Sequence, residues 1–109
     1  MKILPYICLA AIALPLLSQQ TTATLTGAIT DPTGAVVAGV NVKAVNRETN
    51  VAREAQTDGT GSFTMPFLPA GDYTITASHS GFRSQKVNTL TLQVGQTARV
   101  DLQLQIGDV

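Results

Sequence analysis

The sequence predicts an all-β fold, a seven-stranded antiparallel β-sandwich of Ig-like type that follows an N-terminal signal peptide. From Ala23 onward, polar and apolar residues alternate in short runs, as they do in strands whose successive side chains face opposite sides of a sheet. Gly, Pro, Asn and Asp separate the runs and provide turns. The runs recur about every 8 to 12 residues without helical periodicity, which favours a sandwich over βαβ units.

The clearest predicted strand covers Thr97 to Ile106, where the alternation is uninterrupted. One face of this strand is apolar and is predicted to be buried, while the other is polar and faces solvent. The apolar face consists of Ala98, Val100, Leu102, Leu104 and Ile106. Two further strands are centred on Tyr73 to Ala77 and Leu90 to Val94, and four weaker runs are Ala23 to Thr30, Val40 to Asn46, Val51 to Thr57 and Ser62 to Phe67.

Residues 1–20 have the order of a signal peptide, with the basic Lys2, an apolar stretch up to Leu17 and a polar exit. Cleavage is predicted between residues 18 and 23. A membrane-spanning helix is the alternative, but it needs about 20 apolar residues and tolerates internal prolines such as Pro5 and Pro15 poorly. Cys8 lies inside the apolar stretch and is interpreted as an ordinary signal-peptide residue.

The remaining residues, 21–109, have the size of one domain. Without Cys8 this part of the chain has no cysteine, so packing rather than disulfides must stabilise it. Loss of Lys2 leaves six basic and seven acidic residues, with no basic run. Nucleic acid is therefore not a predicted partner, and no transmembrane helix is expected in the mature protein.

Five short segments each place turn residues next to a predicted strand. They are Gly27 to Ala35, Ala38 to Val42, Thr57 to Phe63, Leu68 to Tyr73 and Ser80 to Phe82. Together they resemble the carboxypeptidase regulatory-like domain family, over roughly Thr22 to Leu104. The resemblance implies a transthyretin-like sandwich of seven strands and identifies architecture rather than activity.

The sequence places a signal peptide directly before this domain, and from Gly27 the domain reads Gly-Ala-Ile-Thr-Asp-Pro-Thr-Gly-Ala-Val-Val. This combination is similar to the N-terminal domain of Oar-like TonB-dependent outer-membrane receptors. Those receptors continue into a plug and a barrel, whereas this sequence stops at Val109, which leaves a stand-alone module or a fragment. We therefore expect a non-enzymatic, exported accessory or binding module, periplasmic or outer-membrane-associated. Its expected partner is an envelope protein or the rest of such a receptor. A secreted carbohydrate-binding module is the alternative.

No catalytic, cofactor or metal-binding residues are predicted. His79 is the only histidine, so a zinc site would have to consist almost wholly of carboxylates. A nucleophile and base drawn from Ser78, His79 and Ser80 would point to opposite faces of one strand. The aspartates at 31, 58 and 72 occur in turn segments without the closely spaced oxygen ligands of a calcium loop, which favours a turn-forming role.

A carbohydrate site usually requires exposed aromatic side chains. The sequence has no tryptophan, and Phe63, Phe67, Tyr73 and Phe82 are all predicted to lie in the core. Polar faces rich in Thr, Gln and Asn could still form hydrogen bonds with sugars, and an edge strand could pair with a partner chain. The sequence therefore assigns no binding residues.

Overall fold

The computed structural model describes residues 21–107 and confirms an all-β sandwich. The predicted signal peptide lies outside the described residues. Within them, no helix is long and apolar enough to cross a membrane. In the described part of the chain the strands number ten rather than seven: β1 Thr22–Thr30, β2 Asn41–Asn46, β3 Ala52–Gln56, β4 Ser62–Pro69, β5 Gly71–Ser78, β6 Phe82–Arg83, β7 Gln85–Leu92, β8 Thr97–Arg99, β9 Leu102–Gln103 and β10 Gln105–Ile106.

Two sheets form the layers of the sandwich. The first has the order β4-β1-β8, with β9 also paired to β1, and the second has the order β3-β2-β5-β7. Strands β6 and β10 form a separate pair. The pairing is antiparallel throughout except that β8 and β9 run parallel to β1, because the chain crosses from the second sheet to the first before β8. The fully antiparallel pairing predicted from sequence is corrected at this position.

Apolar residues from both sheets form one core. In β1 the alternation buries Ala23, Leu25 and Ile29 while the residues of the opposite face stay partly exposed. These side chains join Val42 of β2 and Ile75 of β5 in a single cluster. Burying a large aliphatic side chain contributes about 1.5–3 kcal/mol, so this cluster is the main source of stability.

The predicted strand from Thr97 to Ile106 is interrupted at Val100 and Asp101. A Cβ atom on Gly27 would lie 1.8 Å from the carbonyl oxygen of Val100, so the two backbones approach more closely here than any side chain would allow. Next to this contact, the Ala28 amide donates to the Asp101 carboxylate, 3.0 Å away, instead of to a backbone carbonyl. The regular ladder breaks at this point and β8 and β9 become separate strands.

The end of the same segment departs from the predicted buried face. Leu104 is fully buried, as the alternation predicts, but the Ile106 side chain is 70% exposed. The reason is that β10 leaves β1 and pairs instead with β6, where Ile106 lies opposite Phe82. The prediction of one continuous apolar face is therefore wrong at Ile106.

Candidate functional site

Strand β4 contains a β-bulge near its end. Ala23 of β1 pairs with Leu68, and Leu25 pairs with Met65, so the single residue Thr24 lies opposite both Pro66 and Phe67. Because the bulge adds one residue, the alternation shifts, and Leu68 is buried instead of Phe67.

Phe67 is therefore not a core residue, and the prediction that placed it there is wrong. Its side chain is 72% exposed. Its backbone has a φ of 62°, in the left-handed region that bulky residues rarely adopt. Pro66 lacks an N–H group and fits a bulge on an edge strand such as β4. An aromatic ring thus projects into solvent from a residue whose backbone is in the left-handed conformation.

Arg53 of β3 fixes this bulge from the opposite sheet. Its Nη1 donates to the carbonyl oxygen of Phe67 at 3.1 Å, and its Nη2 donates to that of Pro66 at 2.9 Å. Arg53 is half-buried, and hydrogen bonds from a charged donor are stronger than those between neutral groups. The guanidinium therefore joins the edges of the two sheets and holds the Phe67 backbone in place.

A groove of about 360 Å³ has Phe67 in its lining, and its volume is typical of ligand pockets. The lining side chains of Tyr73 and Asn46 are held by hydrogen bonds within the domain. The Tyr73 hydroxyl donates to the carbonyl oxygen of Pro69 at 2.7 Å, and the Asn46 Oδ1 accepts from the Thr49 amide at 3.0 Å. The lining residues are Asn46, Thr49, Val51, Arg53, Phe67, Pro69 and Tyr73. We call this the apolar groove.

A second groove of about 230 Å³ also has Phe67 in its lining, and its other lining residues differ from those of the first. Thr24 and Thr97 are register partners in β1 and β8, and the Gln96 side chain accepts from the Gln93 amide at 2.8 Å. The lining residues are Thr22, Ala23, Thr24, Phe67, Gly95, Gln96 and Thr97. We call this the polar groove, and we call the two grooves with their shared ring the Phe67 site.

The structure does not bring the candidates considered from sequence to this site. Ser78 ends β5, and His79 and Ser80 lie in the following turn rather than on one strand. The His79 ring makes an edge contact with Phe82 at a centroid distance of 5.6 Å. Within residues 21–107, no group of three or more His, Cys, Asp or Glu side chains is arranged to hold a metal ion.

Asp31 and Asp58 form turns, as predicted. Each carboxylate accepts hydrogen bonds from the hydroxyl and amide of the threonine two residues later, at 2.7 and 2.9 Å in both turns. The threonine hydroxyl, supported by backbone amides, lowers the pKa of each carboxyl. Asp72 differs, because it lies within β5 and accepts from the Thr91 hydroxyl on β7 at 2.7 Å.

Sequence reasoning missed Phe67 and Arg53. The signal was available in part, since Pro66 interrupts a predicted strand and prolines in sheets occur at edges and bulges. The adjacent apolar pair Phe67 and Leu68 also breaks strict alternation. The contact of Arg53 with the bulge has no local sequence signature, because it depends on how the two sheets pack.

The fold and the site together define a β-sandwich domain with an exposed aromatic residue between two grooves. The chain belongs to the carboxypeptidase regulatory-like domain family, whose model matches residues 24–105. This is a family of non-catalytic β-sandwich domains. No curated protein matches the chain.

Several solved structures share the fold. The minor pilin of Streptococcus agalactiae is similar with a TM-score of 0.65 and 16% identity, over 84% of this chain and 47% of that one. A type II cohesin–X-dockerin complex of Acetivibrio cellulolyticus has a TM-score of 0.65 and 17% identity, over 80% and 60%. A candidate carbohydrate-binding protein of Bacteroides uniformis has a TM-score of 0.63 and 19% identity, over 76% and 41%. This chain thus spans less than two thirds of each of these proteins.

Proposed function

We propose that this chain is a non-enzymatic, exported binding module of the bacterial envelope and that the Phe67 site is its binding surface. The observation that carries the proposal is the conformation of Phe67, an exposed ring on a left-handed residue that Arg53 holds in place. Strained backbone is retained where the surrounding structure enforces it, and such positions cluster at functional sites.

The chemistry of the lining residues supports a binding role rather than catalysis. Threonine hydroxyls line both grooves, but among the residues that line them there is no His, Asp, Glu or Lys to act as a general base. We expect the purified protein to show no activity in a hydrolase screen.

The envelope assignment is supported by the predicted signal peptide and by the resemblance to Oar-like TonB-dependent receptors. The fold shared with a minor pilin and with a cohesin–X-dockerin complex supports a role in binding other proteins. Fractionation of cells that produce a C-terminally tagged chain tests the assignment. Tag in the periplasmic or outer-membrane fraction is expected, and a cytoplasmic pool of the unprocessed chain would contradict it.

The binding surface is tested by placing a photo-crosslinking phenylalanine analogue at position 67 in the exported protein. Position 106 is the matched control, because Ile106 is 70% exposed and Phe67 is 72% exposed, while only Phe67 lines the grooves. A defined envelope adduct from position 67 and none from position 106 is expected. Equal labelling from both positions would show that the Phe67 site is not the binding surface.

A secreted carbohydrate-binding module is the second candidate function, and one observation favours it. The sequence predicts that every aromatic residue of the domain lies in the core, which disfavours stacking of a sugar, but the Phe67 side chain is exposed. A candidate carbohydrate-binding protein also shares the fold. Retention on insoluble polysaccharide that a soluble sugar reverses would support this candidate.

A further inference from the structure

We infer that the Phe67 site binds an uncharged oligosaccharide, with one sugar ring stacked on Phe67 and the chain extending from the apolar groove into the polar groove. This inference rests on the proposed binding role of the site and names the ligand class. Its support comes from the charge of the site, the chemistry of the two grooves and the hydrogen bonding of the backbone at the β4 edge.

The charge of the site points to a neutral ligand. Among the residues that line the two grooves, Arg53 alone carries a charge. Both of its terminal nitrogens are engaged by the carbonyl oxygens of Phe67 and Pro66. Among these residues a cationic ligand meets no acidic partner, and an acidic ligand meets only Arg53, two of whose N–H donors are already used, so the cost of desolvating a charged ligand is poorly compensated.

The two grooves match the two kinds of surface on a sugar ring. A pyranose has a face of polarised C–H groups, which suits the negative face of an aromatic ring, and a rim of hydroxyls. Phe67, Val51 and Pro69 supply exposed apolar surface on one side. Thr24, Thr97 and Gln96 supply hydroxyl and amide groups on the other. A chain of linked rings meets both surfaces at once.

The β4 edge argues against an extended peptide at the same place. A peptide that adds to a sheet edge gains affinity by pairing with free backbone groups. At the bulge, Pro66 has no amide donor, and the carbonyl oxygens of Pro66 and Phe67 already accept from Arg53. Strand addition therefore lacks one amide donor there and meets two carbonyl oxygens that already accept a hydrogen bond, which favours recognition by the ring and by the polar side chains.

The rigidity of the site lowers the cost of binding. Phe67 is fixed through its own backbone rather than through a flexible loop, so little conformational freedom is lost when a ligand docks. Rigid aromatic side chains with few rotatable bonds are effective contact residues for this reason. We therefore expect the ring of Phe67 to dominate the affinity.

The test measures binding of the full exported chain to defined polysaccharides by affinity electrophoresis and titration calorimetry. Neutral probes are soluble starch, xylan, mannan and cello-oligosaccharides, and acidic probes are polygalacturonate and alginate. We expect at least one neutral probe to bind and both acidic probes to fail. Phe67→Ala should weaken binding by about tenfold or more, whereas Phe67→Trp should retain it.

Two further variants separate recognition from folding. Thr97→Val keeps the β-branched shape and removes one exposed hydroxyl of the polar groove, so a loss of about three- to tenfold is expected. Ile106→Ala removes an equally exposed apolar side chain away from the site and should bind like the wild type. Circular dichroism of each variant confirms that the sandwich is intact.

The outcomes distinguish this inference from the proposed function. Neutral binding that depends on both Phe67 and Thr97 supports the inference, and glycan binding that Phe67→Ala leaves unchanged overturns it. If no neutral glycan binds but position 67 crosslinks to a defined envelope protein, the inference is wrong and the proposed function stands. If neither is observed, both are wrong.

Discussion

Strand β4 places two phenylalanines four residues apart in opposite environments. Phe63 is 3% exposed and belongs to the core, whereas Phe67 is 72% exposed. We expect Phe63→Ala to lower the free energy of unfolding by about 3–5 kcal/mol, because it removes a buried ring and leaves a cavity. Phe67→Ala should change it by less than about 0.5 kcal/mol, as is usual for exposed positions.

Urea or guanidinium unfolding curves of the two variants measure this difference. The two substitutions are chemically identical, so each serves as the control for the other. A comparable loss in both would mean that Phe67 packs against the domain, and it would remove the basis for the Phe67 site.

The turns at Asp31 and Asp58 give the stability a dependence on acid pH. Hydrogen bonds from the Thr33 and Thr60 hydroxyls lower the pKa of each carboxyl below the ordinary 3.8. For a lowered pKa, the stabilisation is complete above the unfolded value near 3.8 and is lost as the pH falls through the lower folded value. We therefore expect the Tm to be flat near neutrality and to fall in acid.

Thermal melts between about pH 6 and about pH 2 measure this dependence. In the double variant Asp31→Asn, Asp58→Asn these two carboxyls no longer titrate, so the acid-induced fall in Tm should be shallower than in the wild type. An unchanged slope would assign the acid sensitivity to other carboxyls.

At the scale of the elements, the contact between β1 and the segment after β8 depends on one glycine. A Cβ on Gly27 would lie 1.8 Å from the Val100 carbonyl oxygen and 2.9 Å from a Phe63 ring carbon. Backbone has to move to relieve such a contact, so Gly27→Ala should destabilise the domain by about 1–3 kcal/mol or more. The Asp101 contact with the Ala28 amide should be lost with it.

Gly59→Ala is the matched control for this substitution. A Cβ on Gly59 meets no atom within 4 Å, and the corresponding position of the Asp31 turn holds Pro32, which fixes an ordinary negative φ. We expect a change within about 0.5 kcal/mol, measured in the same denaturation series. Equal effects at positions 27 and 59 would contradict the close approach at Gly27.

The same scale shows what the sequence could and could not predict. Alternation predicted most of the principal runs, because residues such as Leu25 and Ile75 are buried on one face of their strands. It was wrong for the run Leu90 to Val94, because β7 spans Gln85–Leu92 and Val94 lies in the following turn with its side chain 57% exposed. It failed at Phe67 and Ile106, where a bulge or a change of partner strand reverses which side chain is buried. Those features depend on contacts between distant segments, and the local alternation of polar and apolar residues contains no information about such contacts.

At the scale of the whole molecule, one apolar cluster connects both sheets. The part of the chain after the predicted signal peptide has no cysteine, so no disulfide crosslinks it. A small domain with a single core usually unfolds in one cooperative step. We therefore expect the two sheets to unfold together, and reducing agents should leave the stability of the mature domain unchanged.

Tyr73 provides a probe of that cooperativity. It is the only tyrosine after residue 20 in a sequence without tryptophan. It is also buried, with its hydroxyl bonded to the Pro69 carbonyl oxygen. Its fluorescence therefore reports the contact between the end of β4 and the start of β5, while far-ultraviolet circular dichroism reports all strands.

Urea unfolding followed by both signals should give the same midpoint and the same slope, because the Tyr73 environment and the sheets belong to one cooperative unit. If Tyr73 fluorescence changed at a lower urea concentration than the circular dichroism, the region around the Phe67 site would open before the rest of the sandwich. The aromatic ring would then lack the rigid support that the binding proposal requires.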